Sequence, residues 1–249
     1  PKDNIQFLTF LVAVIKAVNN YSELLRLSVA SAGNDHRLGA NEAPPAIVSI
    51  FLGDELQTIL DALETGKMIT KNQDNEFVIG VEALPNFPKD TTDRNRTSPF
   101  AFTGNKFEFR ALGSADSIAC TNMILNTIVA HILKEFADTL EGSENFTDDL
   151  NKLLLKTYKE NKRIIFNGNG YDDSWVKEAE KRGLPNLIST VDAVPHYTDD
   201  KNVAIFEEFK VLTRTEIQSR KEILLDNYSK IINIEALTMV DMARKQIIP

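Results

Sequence analysis

Apolar residues recur at helical spacing through most of the chain, and this pattern limits the possible folds more than any other feature of the sequence. Between Asp116 and Phe136 the apolar positions include Ile118, Met123, Ile124, Ile128, Ile132 and Leu133. This spacing predicts one face of a long amphipathic helix. Similar patterns predict further helices over residues 5–19, 22–30, 54–63, 148–160, 173–182, 203–210, 214–229 and 233–247. Thr213 and Glu216 form a capping box before one of them.

Strand patterns are few and lie in the first part of the chain. Residues 47–51 form a short apolar run, and residues 77–84 and 98–110 also have strand character. Residues 31–45 are polar and contain glycine and proline, which predicts a loop. The fold class that follows is α+β, with few antiparallel strands and a mostly helical C-terminal half.

The chain changes character near residue 140. We therefore predict two regions, 1–140 with the strands and 141–249 with helices only. The chain starts at Pro1 without a methionine and stops at Pro249 just after a helical pattern. We interpret it as a segment of a longer protein.

Composition excludes several classes of function. The net charge of −8 and pI near 5.0 argue against general binding to nucleic acid or an anionic membrane. The most apolar stretch, Ile5 to Val18, contains Lys16 and is shorter than the roughly 20 residues needed to span a bilayer. Cys120 is the single cysteine, so no internal disulfide can form, and a reducing, cytoplasmic location is expected.

Residues 106–110 (KFEFR) alternate strictly between charged and aromatic side chains. On a strand, Lys106, Glu108 and Arg110 share one face, and the two phenylalanines share the other. A solvated face with ion pairs explains this pattern, and it is the simpler interpretation of these residues alone. The alternative is a site for a polyanion and a divalent metal, since a carboxylate suits Mg²⁺ or Mn²⁺ and the two cations suit phosphate.

A second candidate lies in the predicted loop, where Arg37 and Glu42 are followed by Pro44 and Pro45. The prolines restrain the end of the loop. A restrained loop that carries an ionised pair could close over a reactive intermediate and exclude water. A well-formed turn without such a role explains the same residues.

Both candidates resemble motifs of one enzyme family. Residues 34–47 (NDHRLGANEAPPAI) are similar to the flap of glutamine synthetases, in the form typical of the type III class. Residues 95–102 (NRTSPFAF) and 106–110 resemble the arginine-rich strand pair of that family, in the same order. The resemblance is specific over residues 22–136 and looser over the helical remainder. It implies that region 1–140 is the C-terminal part of a glutamine synthetase-like catalytic domain and region 141–249 an additional helical region.

The resemblance also implies a reaction and its partners. Glutamate and ammonia would be joined with ATP, and Mg²⁺ or Mn²⁺ would be the metal. The longer protein would be a homo-oligomer. Arg37 would bind the carboxylate of glutamate, and Glu42 would close over the site and help to take a proton from ammonium. Arg96 would stabilise the γ-glutamyl phosphate and contact ATP.

The remaining implied roles fall on the charged strand face. Arg110 would contact substrate or phosphate, Glu108 would bind the metal, and Lys106 would contact the nucleotide in place of an arginine. The sequence differs in two places from the commoner classes of glutamine synthetase. Arg37 and Glu42 are one residue closer together, and Phe100-Ala101-Phe102 replaces a further ATP-binding arginine.

Part of the expected active site has no counterpart in this chain. In the family, most metal-binding glutamates precede the flap, and nothing before residue 31 resembles them. His36, His131 and His196 are not spaced as a ligand set, and structural roles are expected for the latter two. We therefore expect the 249 residues alone to be inactive. A ligase for another amine and a non-catalytic structural or regulatory member of the family are the alternative hypotheses.

Overall fold

A computed structural model describes residues 5–40, 43–65, 76–77, 87–88 and 98–248. Its helices are α1 (Ile5–Asn20), α2 (Ser22–Leu27), α3 (Ala32–Arg37), α4 (Asp54–Thr65), α5 (Ala119–Leu140), α6 (Phe146–Asn161), α7 (Asp173–Lys181), α8 (Thr190–Ala193), α9 (Asp200–Glu208) and α10 (Arg214–Met242). Its strands are β1 (Ile50–Phe51), β2 (Glu76–Phe77), β3 (Phe87–Pro88), β4 (Phe100–Phe102) and β5 (Phe107–Phe109). Short 3₁₀ helices follow α6 and α8, and a π-helical turn follows α10. The predicted α+β class is confirmed.

The main sheet is small and mixed. β4 and β5 pair antiparallel, with Phe100 opposite Phe109, while β1 pairs parallel to β4, with Ile50 opposite Phe100. The strand predicted over residues 98–110 is thus a hairpin. The chain reverses at Gly104, whose φ of 88° is one that L side chains rarely adopt. β2 and β3 form a separate antiparallel pair, and residues 78–84 of the strand predicted there lie outside the described residues.

One hydrophobic core joins the two predicted regions. α1 packs against both α5 and α6, so the N-terminal apolar stretch is a buried helix, as predicted. Fully buried core side chains come from both regions: Leu11, Ile15, Ile50, Ile124, Ile128, Tyr158, Tyr197 and Phe206. The division at residue 140 stays a prediction.

A buried polar network also connects α1 to the C-terminal half. The Asn19 amide donates to Asn161 Oδ1 at 2.7 Å, and Arg163 Nε donates to Asn19 Oδ1 at 2.8 Å. Asn161 in turn donates to the Thr157 carbonyl at 2.8 Å. Buried polar groups require such partners because leaving them unpaired is costly.

Two local predictions were wrong. The predicted loop over 31–45 contains α3, because the Ser31 hydroxyl accepts a hydrogen bond from the Asn34 amide and caps the helix. The two helices predicted over 214–229 and 233–247 are the single helix α10, since no glycine or proline interrupts it. The capping box at its start, between Thr213 and Glu216, is confirmed.

Apolar side chains in the second half of α10 are exposed, among them Ile231, Ile234, Leu237 and Met239. They lie around the whole circumference of the helix, unlike the single buried stripe of α5. Even so, among the described helices none has the length and apolarity needed to cross a bilayer.

The core assignment makes a testable distinction between two isoleucines. Ile128→Ala should lower the free energy of unfolding by about 2–5 kcal/mol, because it leaves a cavity in the core, where Ile128 is fully buried. Ile234→Ala should change it by less than about 0.5 kcal/mol, because that side chain is 63% exposed. Urea denaturation of the 249-residue chain, followed by circular dichroism, measures both. Equal effects of the two substitutions would contradict this core.

Candidate functional site

The charged face of β5 is formed as the alternation predicted. Glu108 lies between two cations: Lys106 Nζ is 3.1 Å from Glu108 Oε1, and Arg110 Nη2 is 2.9 Å from Glu108 Oε2. Arg110 Nε adds a second contact to Oε2 at 3.0 Å. The Thr103 hydroxyl, across the hairpin, donates to Oε1 at 3.2 Å. Two cations on one carboxylate leave the face with net positive charge, which suits an anionic ligand.

These contacts change the acidity of Glu108. Hydrogen bonds from Arg110 first, and from Lys106 second, hold the pKa of the Glu108 carboxyl below its usual range. The carboxyl is therefore ionised at neutral pH.

The opposite face of the hairpin fixes its position. Phe107 stacks on Phe100 with ring centroids 5.0 Å apart, and Phe109 lies 5.9 Å from the same ring. Phe102 adds an edge contact to Phe107 at 5.3 Å. Because Phe100 and Phe102 are buried, this aromatic cluster anchors the charged face to the core.

Arg37 lies at the end of α3 and is fixed to the chain just after β5. Its Nε donates to Asn34 Oδ1 at 3.0 Å, and its Nη2 donates to the Ala111 carbonyl at 2.8 Å and the Leu112 carbonyl at 3.3 Å. The Asn34 amide donates to the same Ala111 carbonyl at 2.8 Å. The structure thus brings Arg37 to the residue that follows Arg110. A substrate carboxylate would have to be met by Nη1 of Arg37.

Within the predicted flap, a tight turn follows α3. Gly39 has a φ of 79°, and its amide donates to the Pro44 carbonyl at 3.0 Å. A side chain at that position would be strained by this backbone conformation. Glu42 and Arg96, two of the predicted site residues, lie outside the described residues.

The described residues do not make up a metal site by themselves. Within the described ranges, no three His, Cys, Asp or Glu side chains are grouped so that they could hold a metal ion. Glu108 is a single carboxylate already contacted by two cations. It could supply one oxygen ligand, and further carboxylates would have to come from elsewhere.

Other candidate groups have structural contacts. Burial raises the pKa of the Cys120 thiol, which therefore stays protonated. His131 Nδ1 lies 3.2 Å from Glu208 Oε2, and His196 Nδ1 lies 2.7 Å from Asp199 Oδ2. His196 belongs to a 3₁₀ helix.

Two residues of this site were missed by sequence reasoning. Asn34 supports Arg37, and Thr103 supports Glu108. Asn34 could have been suspected, since it precedes Arg37 by three residues, the spacing of neighbours on a helix face. That signal requires α3 to be recognised as a helix, and the residues there predicted a loop.

The chain is similar to glutamine synthetases from three organisms. Residues 149–249 match the family model described as glutamine synthetase C-terminal domain. The whole chain is 45% identical to the type-3 glutamine synthetase of Dictyostelium discoideum, of which it covers 34%. Over 99% of its length it is 49% identical to a glutamine synthetase of Butyrivibrio fibrisolvens, of which it covers 35%.

A third relative, the glutamine synthetase of Bacteroides fragilis (strain YCH46), is 41% identical over the whole chain. The chain is thus similar to glutamine synthetases over its whole length, as the resemblance of its flap and strand motifs indicated. It spans about a third of the length of the curated relatives it matches.

The contacts of Glu108 predict that loss of Arg110 and loss of Lys106 raise its pKa by different amounts. Arg110→Met should raise the pKa of Glu108 more than Lys106→Met does, because Arg110 makes the stronger hydrogen bonds to the carboxylate. Carbon-13 NMR titration of the glutamate carboxyl groups measures these values. Since the folded pKa is depressed, this contribution to stability is present above the unfolded pKa and is lost as pH falls through the folded one. A Glu108 pKa that neither substitution changes would contradict the geometry.

Proposed function

We propose that the longer protein to which this segment belongs joins ammonia to the γ-carboxylate of glutamate at the expense of ATP. The observation that carries this proposal is the Lys106–Glu108–Arg110 face, fixed beside Arg37 through the Ala111 carbonyl. Similarity to glutamine synthetases over the whole chain, or nearly so, supports it. Cations grouped in this way suit a reaction between phosphate and carboxylate groups.

The proposed reaction has two steps. A γ-carboxylate oxygen of glutamate attacks the γ-phosphorus of ATP, which releases ADP and forms γ-glutamyl phosphate. Ammonia, after losing a proton from ammonium, then attacks the acyl carbon and inorganic phosphate leaves. Activation followed by amine attack divides one difficult step into two easier ones.

The residues on β5 are proposed to serve the phosphate side of this chemistry. Lys106, whose side chain is 65% exposed, would contact the nucleotide. Arg110 would bind the substrate or the transferred phosphoryl group. Arg96 would stabilise the γ-glutamyl phosphate and contact ATP. Glu108 would supply one ligand to Mg²⁺ or Mn²⁺, provided that other carboxylates complete the site.

The flap residues are proposed to serve the amino-acid side. Arg37 would bind the carboxylate of glutamate through Nη1, since its other donors are held by Asn34 and the backbone. Glu42 would close over the intermediate and help to take the proton from ammonium. We further propose that the longer protein is a cytoplasmic homo-oligomer and that the 249 residues alone are inactive.

An activity assay would also distinguish two other functions. A ligase for a different amine would use the same phosphate chemistry and differ in the second substrate. A structural or regulatory member of the family would lack the upstream carboxylates and form no product.

The test is an assay of the full-length protein and of the 249-residue segment with glutamate, ATP, Mg²⁺ and either ammonium or a larger amine. We expect glutamine and ADP from the full-length protein with ammonium and no γ-glutamyl phosphate from the segment alone. Saturation by a larger amine in preference to ammonium would establish the first alternative. Absence of any ADP formation by folded full-length protein would refute catalysis.

Two substitutions separate the proposed roles within the active enzyme. Lys106→Met should raise the KM for ATP by about 10- to 100-fold, the effect of losing one hydrogen bond to a charged group. Arg110→Met should lower kcat by about 100-fold, because it removes charge stabilisation of the transferred phosphoryl group.

Lys152→Met is the matched control, because that lysine is 77% exposed and contacts only Asp149 within the described residues. It should leave both kinetic constants unchanged. If the kinetic constants of Lys106→Met equal those of the control, Lys106 does not bind the nucleotide.

A further inference from the structure

Helix α3 is also held by a buried ion pair. Arg26 Nη2 donates to Asp35 Oδ1 at 3.1 Å, and both side chains are largely buried, with 3% and 11% of their surface exposed. Arg26 also donates from Nε to the Leu187 carbonyl at 2.8 Å and from Nη2 to the Ile188 carbonyl at 3.2 Å. The pair thus joins α2, α3 and the segment before α8.

Asp35 reaches the same C-terminal segment directly. The backbone amide of Thr190 donates to Asp35 Oδ2 at 2.7 Å, and the Thr190 hydroxyl donates to Asp35 Oδ1 at 3.0 Å. Both carboxylate oxygens therefore accept hydrogen bonds from a residue that lies 155 positions further along the chain. A carboxylate with this many donors is held in place.

Successive residues of α3 contact different parts of the molecule. Asn34 and Arg37 bind the carbonyl of Ala111, Asp35 binds Thr190, and the His36 ring lies 3.0 Å from Glu235 of α10. A helix of six residues is too short to be stable alone. Its orientation, and that of Arg37, must therefore come from these contacts.

Arg26 lies directly under the turn that follows α3. It lines a crevice of about 20 Å³ together with Leu38, Pro45 and Arg110. This space is too small for a substrate and leaves room for about one water molecule. Arg26 Nη1 is buried there without a hydrogen-bond partner among the described residues. Any shift of the Arg26–Asp35 pair would be transmitted to the flap turn and to the end of β5.

We propose that Asp35 is a positioning residue for the flap, through which residues 187–190 of the C-terminal region hold Arg37 in the orientation that binds glutamate. The proposal rests on the function proposed above and extends it. The C-terminal helical region would then contribute to substrate affinity although it supplies no group that touches the substrate.

The test compares threonine variants at position 190 in the full-length protein. Thr190→Val removes one hydrogen bond to Asp35 and keeps the volume, and Thr190→Ser restores the hydroxyl. Thr190→Val should raise the KM for glutamate by about tenfold, because small displacements of a binding group reduce productive geometry. The kcat and the KM for ATP should stay within about twofold, since the lost binding energy is the same in the ground state and the transition state. Thr190→Ser should behave like the wild type.

Two further variants complete the comparison. Asp35→Asn, if it folds, should raise the KM for glutamate at least as much as Thr190→Val. Thr127→Val is the matched control, because that buried threonine donates within α5 to the Met123 carbonyl and has no contact with α3. A KM for glutamate in folded Thr190→Val equal to that of the control would overturn the proposal.

Hydrogen exchange tests the same idea without catalysis. In Thr190→Val, the backbone amides of residues 34–40 should exchange at least about fivefold faster than in Thr190→Ser, because local opening becomes easier. Unchanged exchange would overturn the positioning role. A wild-type protein without ligase activity would refute the proposed function, and the exchange result would still decide the role of Asp35.

Discussion

The carbonyl of Ala111 is the acceptor on which the arrangement of the candidate site depends. Asn34 and Arg37 both donate to it at 2.8 Å, and they do so from one turn of α3. This shared acceptor fixes the flap helix to the chain immediately after Arg110. Together with the bond from Arg37 to the Leu112 carbonyl, it holds the two motifs that carry the resemblance to glutamine synthetases in a fixed relation.

The charged strand face depends on the aromatic face behind it. Phe107 and Phe109 pack on Phe100, which is buried, so the backbone of β5 is held by burial of apolar surface and not by its ion pairs. Exposed ion pairs contribute little to stability. The main measurable effect of these cations on the free protein is the lowered pKa of Glu108.

The C-terminal region is part of the same folded unit as the strands. Core residues of α6 pack with α1 and those of α9 pack with α5, and the Asn19–Asn161–Arg163 network adds polar contacts to α1. Residues 187–190 reach further and bind the flap helix through Arg26 and Asp35. A region that matches the glutamine synthetase C-terminal domain is therefore in direct contact with the segment that carries the predicted substrate arginine.

The sequence by itself determined the features that show a short-range pattern of residue types along the chain. It predicted most of the helices, the two faces of residues 106–110, the capping box at Thr213 and the resemblance of the flap and strand motifs. Only the tertiary structure decided the parallel pairing of β1 with β4, the helical form of α3 and the contacts of Arg37 and Asp35. Those contacts join residues 74 and 155 positions apart, and hydrogen bonds over such distances leave no periodic pattern in the sequence. For the same reason α3 could not be predicted, since its stability comes from its distant partners and not from its own six residues.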